Sequence, residues 1–184
     1  MKEITFFGSG VEQEDTTIPV PEVASVITAL SKNYDKLRFG GTNVGLMGLF
    51  AKEARTQGFS VTGVVPGWLS ERYQELILDS DETLYVEDLD ERKKMLFDTD
   101  AVICYPGGIG TMDELMALLA QIALEEIEPI PIYLYNDEGF FAPLLLQIEF
   151  GIKTGLIKKD IIDIIHVFER VDQLVSYLYD GQDE

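Results

Sequence analysis

Ala101-Val102-Ile103-Cys104-Tyr105 is an unbroken apolar run, and Pro106-Gly107-Gly108-Ile109-Gly110-Thr111-Met112-Asp113-Glu114 follows it directly. Five apolar residues without polar alternation predict a strand buried on both faces. The proline and glycines end that strand. Leu115, Leu118, Leu119 and Ile122 then recur at helical spacing. A buried strand that passes through a glycine turn into an amphipathic helix is the repeating unit of parallel α/β sheets.

The same unit recurs outward from this stretch. Ile4 to Phe7 predicts a first strand ending at Gly8-Ser9-Gly10, and Pro21 opens a helix to about Lys32. Leu37 to Phe39 is a short strand meeting Gly40-Gly41-Thr42-Asn43-Val44-Gly45. The next helix presents Leu46, Leu49, Phe50 and Ala54 on one face and ends at Gly58. Ser60 to Val65 and Thr83 to Val86 are further strands, with a short basic helix from Leu89 to Phe97. Beyond the central stretch come a strand at Pro131 to Tyr135, a helix at Phe140 to Phe150, and a last strand and helix at Ile164 to Phe168 and Val171 to Leu178. Neither a linker nor an internal repeat interrupts the pattern, so residues 1–184 read as one α/β domain, a doubly wound parallel sheet with helices on both faces.

Composition narrows the function. With 14 Lys+Arg against 33 Asp+Glu, the formal charge is −19. Nucleic acid and anionic membrane surfaces both demand a basic face, so neither is an expected partner. The 46% hydrophobic content excludes a disordered acidic tail. One cysteine and one histidine exclude a disulfide framework and the multi-cysteine or histidine-rich metal sites, and no cofactor is expected. The opening MKEITFFGSG has too short an apolar run for a signal peptide, and no segment reaches transmembrane length. The expectation is a soluble, cytoplasmic protein.

In open α/β sheets, ligands bind beyond the carboxyl ends of the strands. Three glycine turns fall there, at 8–10, 40–45 and 107–110. Missing side chains let a phosphate or sugar approach the backbone, and helix starts aim free N–H groups at it. The first turn has Gln13 where a dinucleotide fingerprint needs glycine, and Gly45 is followed by Leu46-Met47 rather than the Lys and Ser or Thr of a P-loop. Thr111 can cap the third helix and offer its hydroxyl to an anion. Glu114, read onto the first turn, either closes a capping box with Thr111 or serves chemistry at the loop.

PGGIGTMDE matches the PGGxGTxxE pattern of the LONELY GUY (LOG) family, and Phe39 to Gly48 resembles its glycine run ending in GLMG. Asp90-Glu91-Arg92-Lys93 sits where that family carries an ERK-like segment. The resemblance runs in order to about Leu178. It implies a Rossmann-like fold, usually dimeric, that cleaves nucleoside 5′-monophosphates such as AMP or a cytokinin riboside monophosphate to a free base and ribose 5-phosphate. It also implies that Gly107, Gly108, Gly110 and Thr111 hold the phosphate with help from Gly41 to Gly45. Glu114 and Arg92 would be the catalytic pair, with Lys93 beside them at the substrate. Relatives are often labelled lysine decarboxylases, but no residue pattern here points to a pyridoxal phosphate site. The alternative is a non-catalytic nucleotide or cofactor carrier, which needs the glycines but not the acid.

Two positions depart from the family pattern. Thr42 and Asn43 stand where a glycine or small residue is usual, and the interval from Arg92 to Asp100 is one residue shorter. One residue turns a helical side chain by about 100°. A shortening inside the helix would swing Arg92 from the pocket, whereas one in the turn at Asp98-Thr99 would leave it in place. Lys94 extends the cationic run and equally suits a solvated face. Trp68 suits either base stacking or the surface, and Met47 either the pocket or the core. Cys104 and His166 read as structural. The stripe Leu115, Leu118, Leu119 and Ile122 is core or part of a dimer contact.

Overall fold

The computed structural model describes residues 2–19 and 21–180. Its strands are β1 (Glu3–Phe7), β2 (Lys36–Phe39), β3 (Ser60–Pro66), β4 (Glu82–Val86), β5 (Ala101–Cys104), β6 (Ile132–Tyr135) and β7 (Ile165–Phe168). They form one sheet in the order β4-β3-β2-β1-β5-β6-β7, and every pairing is parallel. The helices are α1 (Val23–Leu30), α2 (Gly45–Thr56), α3 (Gly67–Arg72), α4 (Leu89–Phe97), α5 (Ile109–Ala123), α6 (Ala142–Lys153), α7 (Asp160–Asp163) and α8 (Val171–Asp180). The expected doubly wound α/β fold is therefore observed.

Alternation along the central strands sorts their side chains between two cores. Ile4 and Phe6 of β1, with Ala101 and Ile103 of β5, pack against α1, α2 and α8. Phe7, Val102 and Cys104 point the other way, against α4, α5, α6 and α7. β5 and β6 are buried at every residue, which explains why they read as continuous apolar runs. β4 lies at the edge, where Tyr85 is exposed.

Several local expectations change. α1 starts two residues after Pro21 and ends at Leu30, where a turn through Ser31 to Tyr34 replaces the last helical residues. On α2 the buried face carries Met47, Gly48, Phe50, Ala51 and Ala54, so Leu49 is solvent-facing rather than core. Pro66-Gly67 does not simply end a strand. Pro66 is the N-cap of the short helix α3, which the sequence reading missed together with α7. Leu115, Leu118, Leu119 and Ile122 are buried in the chain's own core, which settles their role as packing. Among the described residues no helix is long and apolar enough to cross a membrane.

The chain builds outward from β1 to β4, then crosses back to β5. The point where the strand order reverses lies between β1 and β5, and a crevice forms beyond their carboxyl ends there. Phe7 pairs with Cys104, and the Tyr105 N–H donates to the Phe7 carbonyl at 2.9 Å. The turns at Gly8 and Gly107 consequently leave the sheet side by side.

Candidate active site

The site is set first by α4. Asp88 is its N-cap, with Oδ1 accepting from the N–H groups of Asp90 (3.0 Å) and Glu91 (2.8 Å), while the Glu91 carboxylate accepts from the Glu87 N–H at 2.7 Å. This local network closes the start of the helix and fixes its register. Its far end is pinned as well. Arg38, paired with Glu3 at 2.9 Å, donates to the carbonyls of Met95 and Asp98, and the buried Thr5 hydroxyl donates to Leu96 at 2.8 Å. Arg92, one turn into this clamped helix, points inward.

The Arg92 guanidinium has three acceptors. Nε donates to the Val64 carbonyl at 3.1 Å, one terminal nitrogen to the Gly40 carbonyl at 3.2 Å, and the other to Glu114 Oε1 at 2.8 Å. The shortened interval to Asp100 therefore does not swing Arg92 away. Gly40 is part of the arrangement, because a Cβ there would overlap the guanidinium.

Glu114 comes from α5. The N-cap of that helix is Gly108, not Thr111, and Met112 donates the first helical bond to the Gly108 carbonyl. Thr111 is therefore the third helical residue and Glu114 lies on the second turn. The capping box from Thr111 to Glu114 does not form, and the Glu114 carboxylate is spent on Arg92 instead. Glu114 is 5% exposed. Burial pushes its pKa above the ordinary carboxylate value, Arg92 works against that rise, and Asp113 adds to it. The net direction is upward.

Lys93 turns to the carboxylates of Asp113 and Asp90, 3.3 Å from each. Burial opposes its charge, yet hydrogen bonds to those two acids hold its pKa above the ordinary lysine value. Its direct partners are thus protein carboxylates at the rim of the site. Lys94 is exposed.

The glycines fall into two groups. Gly41 and Gly45 have positive φ of 85° and 58°, and a Cβ would overlap Val65 at the first and the Val11 backbone at the second. Their loop is tied down by Asn43 N–H to Leu76 (2.7 Å), Leu78 N–H to Gly41 (2.9 Å) and Met47 N–H to Ser9 (2.9 Å). The Thr42 hydroxyl donates to the Met47 sulfur at 3.2 Å, and Met47 itself is buried in the core. In the other loop, a Cβ on Gly107 would overlap Thr111, but at Gly108 and Gly110 no described residue beyond the chain neighbours and the helix's own backbone comes within 4 Å of where a Cβ would stand. The room above these two glycines is open, next to the first N–H groups of α5.

The remaining residues weighed from sequence lie elsewhere. Trp68 is 45% exposed on α3. Cys104 is buried, its thiol pushed up by burial and by the charge of Glu114. His166 accepts or donates a 3.2 Å hydrogen bond with Tyr177 on the far edge of the sheet, and burial lowers its pKa. Sequence reading missed the Asp88–Glu91 cap, although Asp-x-x-Glu ahead of a helix is a visible signal. Gly40 and Asp113 stand within the quoted motifs, but their contacts with Arg92 and Lys93 were not foreseen, because those partners are distant in sequence.

The family described as "Possible lysine decarboxylase" matches residues 47–178. The chain belongs to this family, the LOG family. A rice (Oryza sativa subsp. japonica) protein named "Probable cytokinin riboside 5'-monophosphate phosphoribohydrolase LOGL1" is 39% identical over 132 residues, covering 71% of this chain and 58% of that protein. An Arabidopsis thaliana protein named cytokinin riboside 5'-monophosphate phosphoribohydrolase LOG1 is 35% identical over 153 residues, 82% of this chain and 70% of that one. The chain thus spans about three fifths of the rice relative's length. Among solved structures, the molybdenum cofactor binding protein of Rippkaea orientalis shares the fold, with a TM-score of 0.63 at 17% identity over 96% of this chain and 94% of that one.

Proposed function

We propose that this LOG-family chain hydrolyses the N-glycosidic bond of a nucleoside 5′-monophosphate, of the AMP or cytokinin riboside monophosphate type, to a free base and ribose 5-phosphate. The observation that carries the reading is the Arg92–Glu114 pair, its acid buried, held beside a helix start whose Gly108 and Gly110 face open space. The relatives' names point to the same reaction.

The chemistry follows from these parts. The N–H groups at the start of α5, with Thr111, offer an anion site in a chain of charge −19. Breaking the bond from C1′ to the base nitrogen builds positive charge on the ribose, which the Glu114 carboxylate stabilises. The C1′–N bond breaks as a water oxygen bonds to C1′; Glu114 takes the water's proton and passes it on to the ring nitrogen of the leaving base, so one water is consumed and the carboxylate is restored. Arg92 acts mainly on Glu114. With its donors on Gly40, Val64 and Glu114, it fixes the carboxylate's position and favours its charged form against burial.

A dimer is part of this proposal. Ile109, Met112 and Met116 lie on one stripe of α5 and are 82%, 38% and 43% exposed, an apolar strip beside the site that a second copy would cover. We place the reaction in the cytoplasm, in keeping with the free thiol of Cys104.

Glu114→Gln keeps the shape and one acceptor oxygen but cannot take a proton. It is expected to lower turnover of nucleoside monophosphates by about 10²–10⁴-fold with the circular dichroism spectrum unchanged. Turnover within a few-fold of the original chain would remove Glu114 from the mechanism.

A further inference from the structure

Arg92 and Lys93 are consecutive on α4, and Asp113 and Glu114 are consecutive on α5. Neighbours on a helix point about 100° apart, so both residues of each helix meet the other helix only by straddling the line of contact. Arg92 meets Glu114 at 2.8 Å on the buried side of that line, and Lys93 meets Asp113 at 3.3 Å on the rim side. Hydrolysis as derived above uses the inner pair, and the outer pair has no part in it.

Lys93 is the group that needs explaining. Its side chain is 18% exposed, while its partners Asp113 and Asp90 are 50% and 85% exposed. A lysine carries a compact charge on a flexible stem, so its ammonium settles where the acceptors hold it. Its charge already acts on Glu114 through space. That carboxylate is the most deeply buried of the three acids, and attraction grows as water is withdrawn. Glu114 also has an oxygen to offer. Oε1 accepts from Arg92, and no described residue donates to Oε2. Asp90 is too exposed to hold the ammonium firmly by itself. Asp113, on the same helix as Glu114 and one residue before it, is the cross-helix acceptor that keeps Lys93 on the rim.

We propose that Asp113 is a positioning residue: it holds the Lys93 ammonium on the rim side of the α4–α5 contact, so that Arg92 alone bonds Glu114 and Oε2 stays open to the attacking water. The proposal rests on the hydrolytic role given to Glu114, which remains the group that takes the proton.

The sign of the effect follows from the groups around the acid. Among the described residues, Arg92 and Lys93 from α4, Asp113 from α5 and the Cys104 thiol from β5 face Glu114 electrostatically. Neutralising Asp113 removes a repulsion that holds the Glu114 pKa up, and a Lys93 released towards Glu114 pulls it down. Both changes favour the carboxylate and make it a weaker base for water.

Carbon-13 NMR titration of the Glu114 carboxyl, without substrate, tests this in the original chain, Asp113→Asn, Lys93→Met and the double variant. Asp113→Asn should lower the midpoint by about one pH unit, with Tm within about 2 °C because a rim ion pair adds little stability. Lys93→Met should raise the midpoint more in the Asp113→Asn background than in the original chain, because only there does the ammonium bond Glu114. In turnover, Asp113→Asn should lower kcat about tenfold with KM within about twofold. It should also move the acid limb of kcat/KM to lower pH, and Asp113→Glu should restore kcat and the limb. An unmoved midpoint or unmoved acid limb in Asp113→Asn, or a Lys93→Met effect equal in both backgrounds, overturns the proposal. If the original chain releases no ribose 5-phosphate, the hydrolytic reading fails instead, while the titration still decides where Lys93 is held.

Discussion

The two glycine loops at residues 40–48 and 107–110 look alike in composition and differ in why they contain glycine. In the first, a Cβ at Gly40, Gly41, Gly45 or Gly48 would overlap the Arg92 guanidinium, Val65, the Val11 backbone or the Asn43 backbone respectively. Each of these glycines is demanded by the chain's own packing. In the second loop only Gly107 is so constrained, by Thr111 and by Gly8, while Gly108 and Gly110 border open space. A glycine that nothing in the protein requires is the stronger pointer to a ligand. Gly41 and Gly45, read from sequence as substrate-binding, are required by the chain's own backbone geometry and packing, and the open space lies at the start of α5, where the proposed function puts the phosphate.

This contrast can be broken at either loop. Gly45→Ala carries the largest expected effect, because it combines a left-handed backbone with a clash against backbone atoms. It should cost about 2–4 kcal/mol, seen as a Tm lower by roughly 5–15 °C. An unchanged Tm would show that the first loop is not held as described. Gly108→Ala should leave Tm within about 2 °C and weaken equilibrium binding of ribose 5-phosphate about tenfold, because a methyl group would enter the open space. Gly110→Ala sharpens the point from the other side. Alanine favours the helix by up to about 1 kcal/mol, so Tm should hold or rise by a few degrees while ribose 5-phosphate binding still falls. A loss of stability without a loss of binding at 108 or 110 would erase the difference between the loops.

Much of the fold was legible because central parallel strands are buried on both faces. β5 and β6 announce themselves as apolar runs, and the glycine turns mark where each strand ends. What was not legible depends on contacts between distant segments. The exposure of Leu49 follows from how α2 lies on β1 to β3, and a helical pattern alone does not decide which edge of a broad apolar stripe is covered. The direction of Arg92 is set by carbonyls at 40 and 64 and by the clamp that Arg38 and Thr5 place on the end of α4. Spacing could only leave two orientations open. Glu114 was read as a possible cap because Thr111 looked like an N-cap, yet Gly108 starts the helix one turn earlier and frees the acid for Arg92. Tyr105 gave no signal in sequence, since a tyrosine at a strand end is ordinary until its buried hydroxyl is found without a hydrogen-bond partner among the described residues.

The central claim is that the open helix start and the Arg92–Glu114 pair work together to cut a glycosidic bond. The most direct measurement mixes the chain in excess with a single nucleoside 5′-monophosphate and separates the products after one turnover time. The account predicts equal amounts of free base and ribose 5-phosphate, with no nucleoside or inorganic phosphate. Recovery of the bound nucleotide intact would contradict it and leave the chain a carrier.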